Sequence, residues 1–177
     1  MSEEQSELAI AIASVTENPG DWDRWDEIEQ LAGFLDDPES VKAAYHGVLQ
    51  QELSADMAVE IGQRAARFHE EWFGDDPAGL ASLLERVLAI NPKSEWAFQQ
   101  LTVVLTVAER WDDVLRLYST VAEGASSKAR RIKLLEEAYQ VAKDLANRPD
   151  QAIDFLKAEV DLDPDEKQQA ALERLLE

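Results

Sequence analysis

Residues 80–92 read LASLLERVLAINP, a run whose apolar residues fall at helical spacing and which closes on Asn91 and Pro92. Proline disfavours helical geometry in the residue before it, so this run predicts a helix that ends near Asn91. The same Asn-Pro or Asp-Pro ending occurs at Pro19 and Pro164, 73 residues before and 72 residues after Pro92. Each interval equals two units of about 36 residues, and a fixed period of about 20 to 50 residues is typical of a solenoid of helix pairs.

The stretches between these prolines predict further helices of the same kind. Asp21 and Asp37 are candidate N-caps, and Pro38 and Pro77 suit the first turn of a helix. No linker-like stretch interrupts the chain, so one domain of about four helix pairs with flanking helices is predicted. A compact bundle of the same helices is the alternative fold. The predicted segments are an N-terminal helix in 1–18, repeats in 21–54, 55–92, 94–126 and 127–164, and a C-terminal helix in 165–177.

Composition and charge limit the classes of partner. The chain has 177 residues, 45% of them hydrophobic, no cysteine and no long apolar run, which predicts a cytoplasmic protein without membrane insertion. Its net charge is −20, and residues 1–90 hold 20 acidic side chains against 5 basic ones. Nucleic acid is a poor partner because phosphate binding needs clustered Lys and Arg. An acidic surface instead attracts partners with a basic or amphipathic segment.

Catalytic and metal-binding patterns are weak in this sequence. His46 and His69 are the only histidines, and neither has a second His or a Cys at zinc-ligand spacing on the same helix face. No glycine-rich phosphate loop or nucleophile motif occurs. The sequence therefore predicts a protein that is not an enzyme and that needs no cofactor or metal.

The helix pairs resemble the tetratricopeptide repeat family, whose units of about 34 residues are helix-turn-helix hairpins. In the first pair the family's apolar positions hold Trp25, Ile28 and Ala32, then Val41, Tyr45 and Val48. In the third pair they hold Phe98, Leu101 and Leu105, then Val114, Tyr118 and Val121. The fourth pair fits if its first helix gains one turn. The small residue of the family's position 8 is replaced by Glu29, Thr102 and Glu136, and Glu159 stands at another small position, so the chain resembles a divergent bacterial array.

The resemblance implies an all-α, right-handed α-solenoid of antiparallel helix pairs, with a concave groove lined by the first helix of each pair. The family's groove positions fall, in this chain, on Gln30, Phe34, Trp96, Gln99, Val103, Thr106, Val107, Arg130 and Lys133. Trp96, Val103 and Val107 among them have no role in the core of the repeat, which indicates an apolar groove centre. The alternative is that these side chains pack against the neighbouring first helices.

The function implied is a scaffold that binds a peptide or helix of a partner protein in this groove. The structural alternative is self-association as a homo-oligomer, because Leu172, Leu175 and Leu176 form an apolar stripe on the final helix, whereas a capping helix has a polar outer face. On that alternative the chain is a segment of a longer repeat array. An acidic mimic of nucleic acid is a third hypothesis, and it rests on charge alone.

Overall fold

The computed structural model describes residues 3–176, and of residues 166, 167, 175 and 176 it describes the backbone alone. Helices follow one another through this part of the chain without a strand. The α-helices are α1 (Glu3–Glu17), α2 (Trp22–Leu35), α3 (Pro38–Leu49), α4 (Ala55–Trp72), α5 (Pro77–Ile90), α6 (Glu95–Val107), α7 (Trp111–Glu123), α8 (Lys128–Gln140), α9 (Pro149–Leu162) and α10 (Glu166–Leu176). The prediction of an all-α fold is confirmed.

Contacts divide the chain into two compact units, with the boundary inside α6. Unit one is Met1–Leu101 and unit two is Thr102–Glu177. In unit one α1 packs on α2, α2 on α3, α3 on α4 and α4 on α5, while in unit two α7 packs on α8, α8 on α9 and α9 on α10. Helices joined by turns this short are antiparallel neighbours. The single continuous array stays a prediction, and each unit is described by itself below.

The helix starts follow from short polar side chains that cap free backbone N–H groups. Asp21, Asp37 and Asp76 each accept a hydrogen bond from the backbone N–H three residues ahead, at 3.1, 3.3 and 2.9 Å. Ser54 and Ser127 do the same for α4 and α8. A cap of this kind contributes about 1 kcal/mol. The N-caps predicted at Asp21 and Asp37 are confirmed.

The core of unit one is built on a stacked aromatic pair. The rings of Trp25 and Tyr45 lie parallel, with centroids 4.2 Å apart. The indole N–H of Trp25 donates to the carbonyl of Pro19 at 3.0 Å, which ties α2 to the turn before it. The ring of Phe68 on α4 follows, 5.9 Å from that of Tyr45. Aromatic stacking therefore joins three consecutive helices, α2, α3 and α4.

The repeat pattern accounts for what is buried in both units. Ile28, Ala32, Val41 and Val48 are buried with the aromatic pair in unit one. Five of the six matching positions of the third pair are buried as well, namely Phe98, Leu101, Leu105, Val114 and Tyr118, whereas Val121 is half-buried. The first and third pairs thus bury most of the residues that the family pattern places at helix contacts, and the fold is tetratricopeptide-like.

Gly62 is a point of close approach between α4 and its neighbours α5 and α6. A Cβ built on Gly62 would lie 2.5 Å from Cγ2 of Val87 on α5 and 3.5 Å from Cζ3 of Trp96 on α6. Real Cβ contacts are essentially never shorter than 3.0 Å. The absence of a side chain here lets α5 and the Trp96 ring pack directly against the α4 backbone.

The turns between the two helices of a pair contain left-handed residues that are not glycine. Asp36, Glu109 and Asn147 have φ of 53°, 53° and 51°. They follow α2, α6 and the extended first helix of the fourth pair. A left-handed residue commonly ends a helix, because its N–H closes back on the last carbonyls. At Asp36 that N–H points to the carbonyl of Ala32.

The fourth pair has the extra length that the sequence predicts. A π-helical turn, Val141–Leu145, continues α8, and the N–H of Ala146 bonds to the carbonyl of Val141 at 2.9 Å. Ala138, Ala142 and Ala146 are all buried, at intervals of four residues. The wider π-helical turn accommodates the added length of the first helix of this pair. The three alanines still face the interior of unit two.

Glu159 of α9 is a buried acid, with 2% of its surface exposed. Its Oε1 accepts a hydrogen bond from the side-chain amide of Gln168 on α10. Burial, together with the neighbouring carboxylates of Glu136 and Asp165, raises the pKa of Glu159 above its usual range. The structure therefore gives the acid at this normally small repeat position a partner on the last helix.

Because the pKa of Glu159 is raised in the folded chain, the folded state binds the proton more tightly than the unfolded state. Stability therefore falls as pH rises from about 4.5 through the raised pKa. Above that pKa the buried carboxylate is charged, and its full destabilising effect is present. We expect Glu159→Gln to raise the free energy of unfolding at pH 7 by about 1 kcal/mol. The new amide keeps an oxygen that accepts from the Gln168 side chain. It also adds N–H donors for the buried Oε1 of Gln168, which has no partner among the described residues.

Urea unfolding of the Glu159→Gln variant at about pH 7 and pH 4 measures this effect, and the gain should shrink at the lower pH. Glu123→Gln, an exposed acid on α7, is the control and should change stability little. A Glu159→Gln variant that is less stable than the parent at pH 7 would show that the charge is needed.

Of the apolar stripe predicted on the final helix, Leu172 is half-buried. The side chains of Leu175 and Leu176 lie outside the described residues. Self-association through this helix stays a prediction.

Candidate functional site

The first helices of the pairs in unit one share an exposed side, which we call the A face of unit one. It consists of the exposed residues of α2, of α4 and of the first turns of α6 up to Gln100. Asp26 near the start of α2 forms an ion pair with Arg64 near the middle of α4, and Gly33 near the end of α2 lies beside the ring of Trp72, the last residue of α4. The two contacts join residues 38 and 39 positions apart, so α2 and α4 run parallel on this face.

Arg64 organises the charged end of the A face. Its guanidinium bonds both carboxylate oxygens of Glu29, at 2.9 and 3.0 Å, and also bonds Asp26. Arg64 Nε lies 3.0 Å from the hydroxyl of Tyr45, which in turn donates to Glu29. Burial and the Glu29 carboxylate raise the pKa of Tyr45 above its usual range, so the hydroxyl remains a donor. This network fills the place where the family pattern has a small residue.

The opposite end of the A face is aromatic. Phe34 is 77% exposed and Trp72 is 36% exposed, and both are among the large apolar side chains that reach the surface. A Cβ built on Gly33 would lie 3.7 Å from Cζ2 of Trp72, so the indole covers the α2 backbone next to Phe34. The Trp72 ring is also 6.1 Å from the buried ring of Phe68. The exposed Trp72 is thus in contact with the core.

Two clefts lie on the A face, one on each side of α4. The α2–α4 groove has a volume of about 430 Å³ and is lined by Asp26, Glu29, Arg64, Arg67, Phe68 and Glu71. The α4–α6 cleft has a volume of about 380 Å³ and is lined by Gln63, Ala66, Arg67, Glu70, Trp96 and Gln100. Arg67 borders both, so the clefts are adjacent parts of one surface.

Arg67 differs from the other arginine of this face. Arg64 forms ion pairs with Glu29 and Asp26, whereas Arg67 is exposed and makes no ion pair within residues 3–176. Glu70 and Glu71 follow it on α4 and also line the clefts. An exposed guanidinium beside free carboxylates can bind a backbone carbonyl or an acidic group of a ligand.

The residues predicted for unit one lie on this surface. Gln30, Phe34 and Gln99 are exposed, and Trp96 is half-buried with its ring in the α4–α6 cleft. Arg67, Gln63 and Gln100 were missed as candidates. The same repeat positions applied to the second pair identify Gln63, Ala66 and Arg67, so the signal was present in the sequence.

The residues predicted for unit two have mixed environments. Val103 and Val107 are exposed, and Thr106 is half-buried. Lys133 is exposed and lies 3.8 Å from Glu137. Arg130 is half-buried near Tyr118. Burial and the carboxylate of Glu137 raise the pKa of the Tyr118 hydroxyl to about 12. Their assignment to a binding groove stays a prediction.

Unit two has its own cleft, lined by residues of α7, α8 and α9. Its volume is about 510 Å³. Apolar lining residues include Leu115, Leu135 and Phe155, and the rim carries both Arg131 and Asp154. The rim therefore has no dominant sign of charge.

Within the described residues, no helix has the length and apolar character to span a membrane. Over the same part of the chain, no three His, Asp or Glu side chains gather as a metal site would require.

No protein-family model matches the chain, and no curated protein matches it. Solved structures with a similar arrangement include YrrB, described as a TPR protein with an unusual peptide-binding site. It is 14% identical, has a TM-score of 0.42, and the match covers 97% of this chain and 84% of that one. MamA is 14% identical with a TM-score of 0.43, over 96% of this chain and 92% of that chain. The Naa15/Naa10 complex bound to HypK-THB contains a chain that is 14% identical with a TM-score of 0.43, over 98% of this chain and 31% of that chain.

Proposed function

We propose that this chain is a non-enzymatic protein-binding scaffold whose A face in unit one holds a peptide or helix of a partner protein. The observation that carries the proposal is the pair of adjacent clefts that share Arg67. Binding sites concentrate in concave surfaces that combine apolar area with a few polar groups. We extend the proposal to the predicted groove residues of unit two, namely Val103, Thr106, Val107, Arg130 and Lys133.

The α4–α6 cleft has the chemistry to bind a polypeptide segment. The amides of Gln63 and Gln100 offer donors and acceptors, which match the N–H and C=O groups of a peptide backbone. The ring of Trp96 offers a flat apolar surface between them. Tryptophan and arginine are the residue types that most often dominate binding energy at interfaces, so Trp96 and Arg67 are the proposed anchors.

A random peptide library displayed on phage and selected against the full chain tests the proposal. We expect selected peptides to bind about ten-fold more weakly to Trp96→Ala, a loss of about 1.4 kcal/mol. Gln100→Ala, a change at an exposed residue, should weaken them by a smaller factor. The measurement is the dissociation constant of each labelled peptide by fluorescence anisotropy.

Trp111→Ala is the matched control, because Trp111 is also half-buried and lies on α7 in unit two. Peptides selected on the parent should bind this variant with unchanged affinity. Selection that yields no peptide, or yields only peptides that bind Trp96→Ala and Gln100→Ala as tightly as the parent, would contradict the proposal.

A further inference from the structure

We propose that the partner segment of the α2–α4 groove is basic and amphipathic, with an apolar side chain on Phe34 and Trp72 and with Lys or Arg beside the carboxylates of the groove. This inference rests on the proposed function and names the chemistry of its partner. It is carried by the exposed aromatic end of the groove and by the charge of unit one.

The aromatic end supplies a site for an apolar side chain. Phe34 is 77% exposed near the end of α2, and the indole of Trp72 lies against Gly33, the residue before Phe34. Large exposed apolar side chains that are neighbours, and not scattered singly, indicate an interaction surface. The Trp72 ring also lies 6.1 Å from the buried Phe68 ring, so it needs little ordering when a ligand binds.

The charge of the groove selects the sign of the partner. Unit one holds 21 acidic and 6 basic side chains, a net charge of −15. The lining of the groove itself carries the three carboxylates of Asp26, Glu29 and Glu71 against the two guanidinium groups of Arg64 and Arg67, an excess of one negative charge.

The exposed aromatic side chains and the negative charge together require a partner that carries both apolar and basic side chains. Charge alone would attract any polycation, with an attraction that is screened over about 8 Å at physiological salt. The aromatic pair adds a short-range contact that a polycation without apolar side chains cannot make. An amphipathic helix with one apolar and one basic face presents both groups at the spacing of adjacent helical turns.

Three labelled synthetic peptides of about 14 residues, four helical turns, test this inference against the full chain. One has Leu and Lys in amphipathic order, the second has Glu in place of Lys, and the third has Ser in place of Leu. We expect the Leu/Lys peptide to bind at least about ten-fold more tightly than either counterpart. Its affinity should fall by about five-fold or more between about 50 and 300 mM NaCl.

Surface variants locate the binding. Phe34→Ser should weaken the Leu/Lys peptide by about five-fold or more. Ile10→Ser is the matched control, because Ile10 is 66% exposed and lies on α1, outside the A face, and it should leave the affinity unchanged. Equal binding of the Ser/Lys peptide, or equal weakening by the two variants, overturns the inference.

The outcomes separate this inference from the proposed function. If library peptides depend on Trp96 but the Leu/Glu peptide binds as well as the Leu/Lys peptide, the scaffold function stands and the basic partner is wrong. If the library yields no peptide that depends on the A face, the proposed function fails, and this inference fails with it.

Discussion

Gly62→Ala is expected to lower the free energy of unfolding by about 2 kcal/mol, even though alanine is the better helix former. The added methyl would meet Cγ2 of Val87 at 2.5 Å and the Cβ of the same residue at 3.6 Å. Val87 is buried and branched at Cβ, so it cannot turn away without moving α5. Over-packing at this level costs about 3 kcal/mol, and the better helix propensity of alanine returns about 1 kcal/mol.

Gly47→Ala is the control for this prediction, because a Cβ on Gly47 of α3 would meet nothing within 4 Å. There the same substitution should stabilise the chain by about 0.5–1 kcal/mol. Urea unfolding compares the two variants, with helix content followed by circular dichroism at about 222 nm. Equal stability of Gly62→Ala and Gly47→Ala would mean that α4 and α5 separate without cost.

Arg64→Met is expected to destabilise the chain by about 2 kcal/mol, since it leaves Glu29 and Asp26 without their cation. The Glu29 side chain is only 29% exposed. Removing one partner from a fully buried ion pair costs about 3–5 kcal/mol, and partial solvent access reduces that figure here. Methionine keeps most of the length and apolar contact of the arginine stem, so the loss of stability measures the contribution of the guanidinium group.

The double variant Arg64→Met with Glu29→Gln separates the ion pair from the packing. Once Glu29 carries no charge, loss of Arg64 should cost about 1 kcal/mol less than in the parent. Arg116→Met, which removes an exposed partner of Asp113, should cost no more than about 0.5 kcal/mol. Chemical denaturation of the four variants of the cycle gives the coupling energy, and additive effects would rule out the pairing as a stabilising contact.

The sequence predicted the fold well because its signals are local. A proline limits the helix before it, and apolar residues at a spacing of three and four identify a buried face, so Trp25 and Tyr45 were placed in the core correctly. Glu29 could be recognised only as a departure from the family pattern. Its explanation is Arg64, which lies 35 residues away on a neighbouring helix, and periodicity within one helix carries no information about such a pair.

The candidate site was predicted in part for the same reason. Repeat position identifies which residues face away from the core, and Gln30 and Phe34 are exposed as that position requires. It does not reveal how far a large side chain extends past its neighbours. Trp72 continues the helical stripe of Phe68, a pattern that predicts burial, yet 36% of it is exposed because it lies at the end of α4, over Gly33.

The π-helical turn at Val141–Leu145 has a consequence for the history of the gene. Insertion of a codon within a regular helix rotates every later side chain by about 100°, which turns a buried face toward water. A turn that accommodates one extra residue confines that rotation, so Ala138 before the turn and Ala146 after it both stay buried. Repeats of this chain can therefore differ in length through small insertions and deletions while the helices that follow keep their partners.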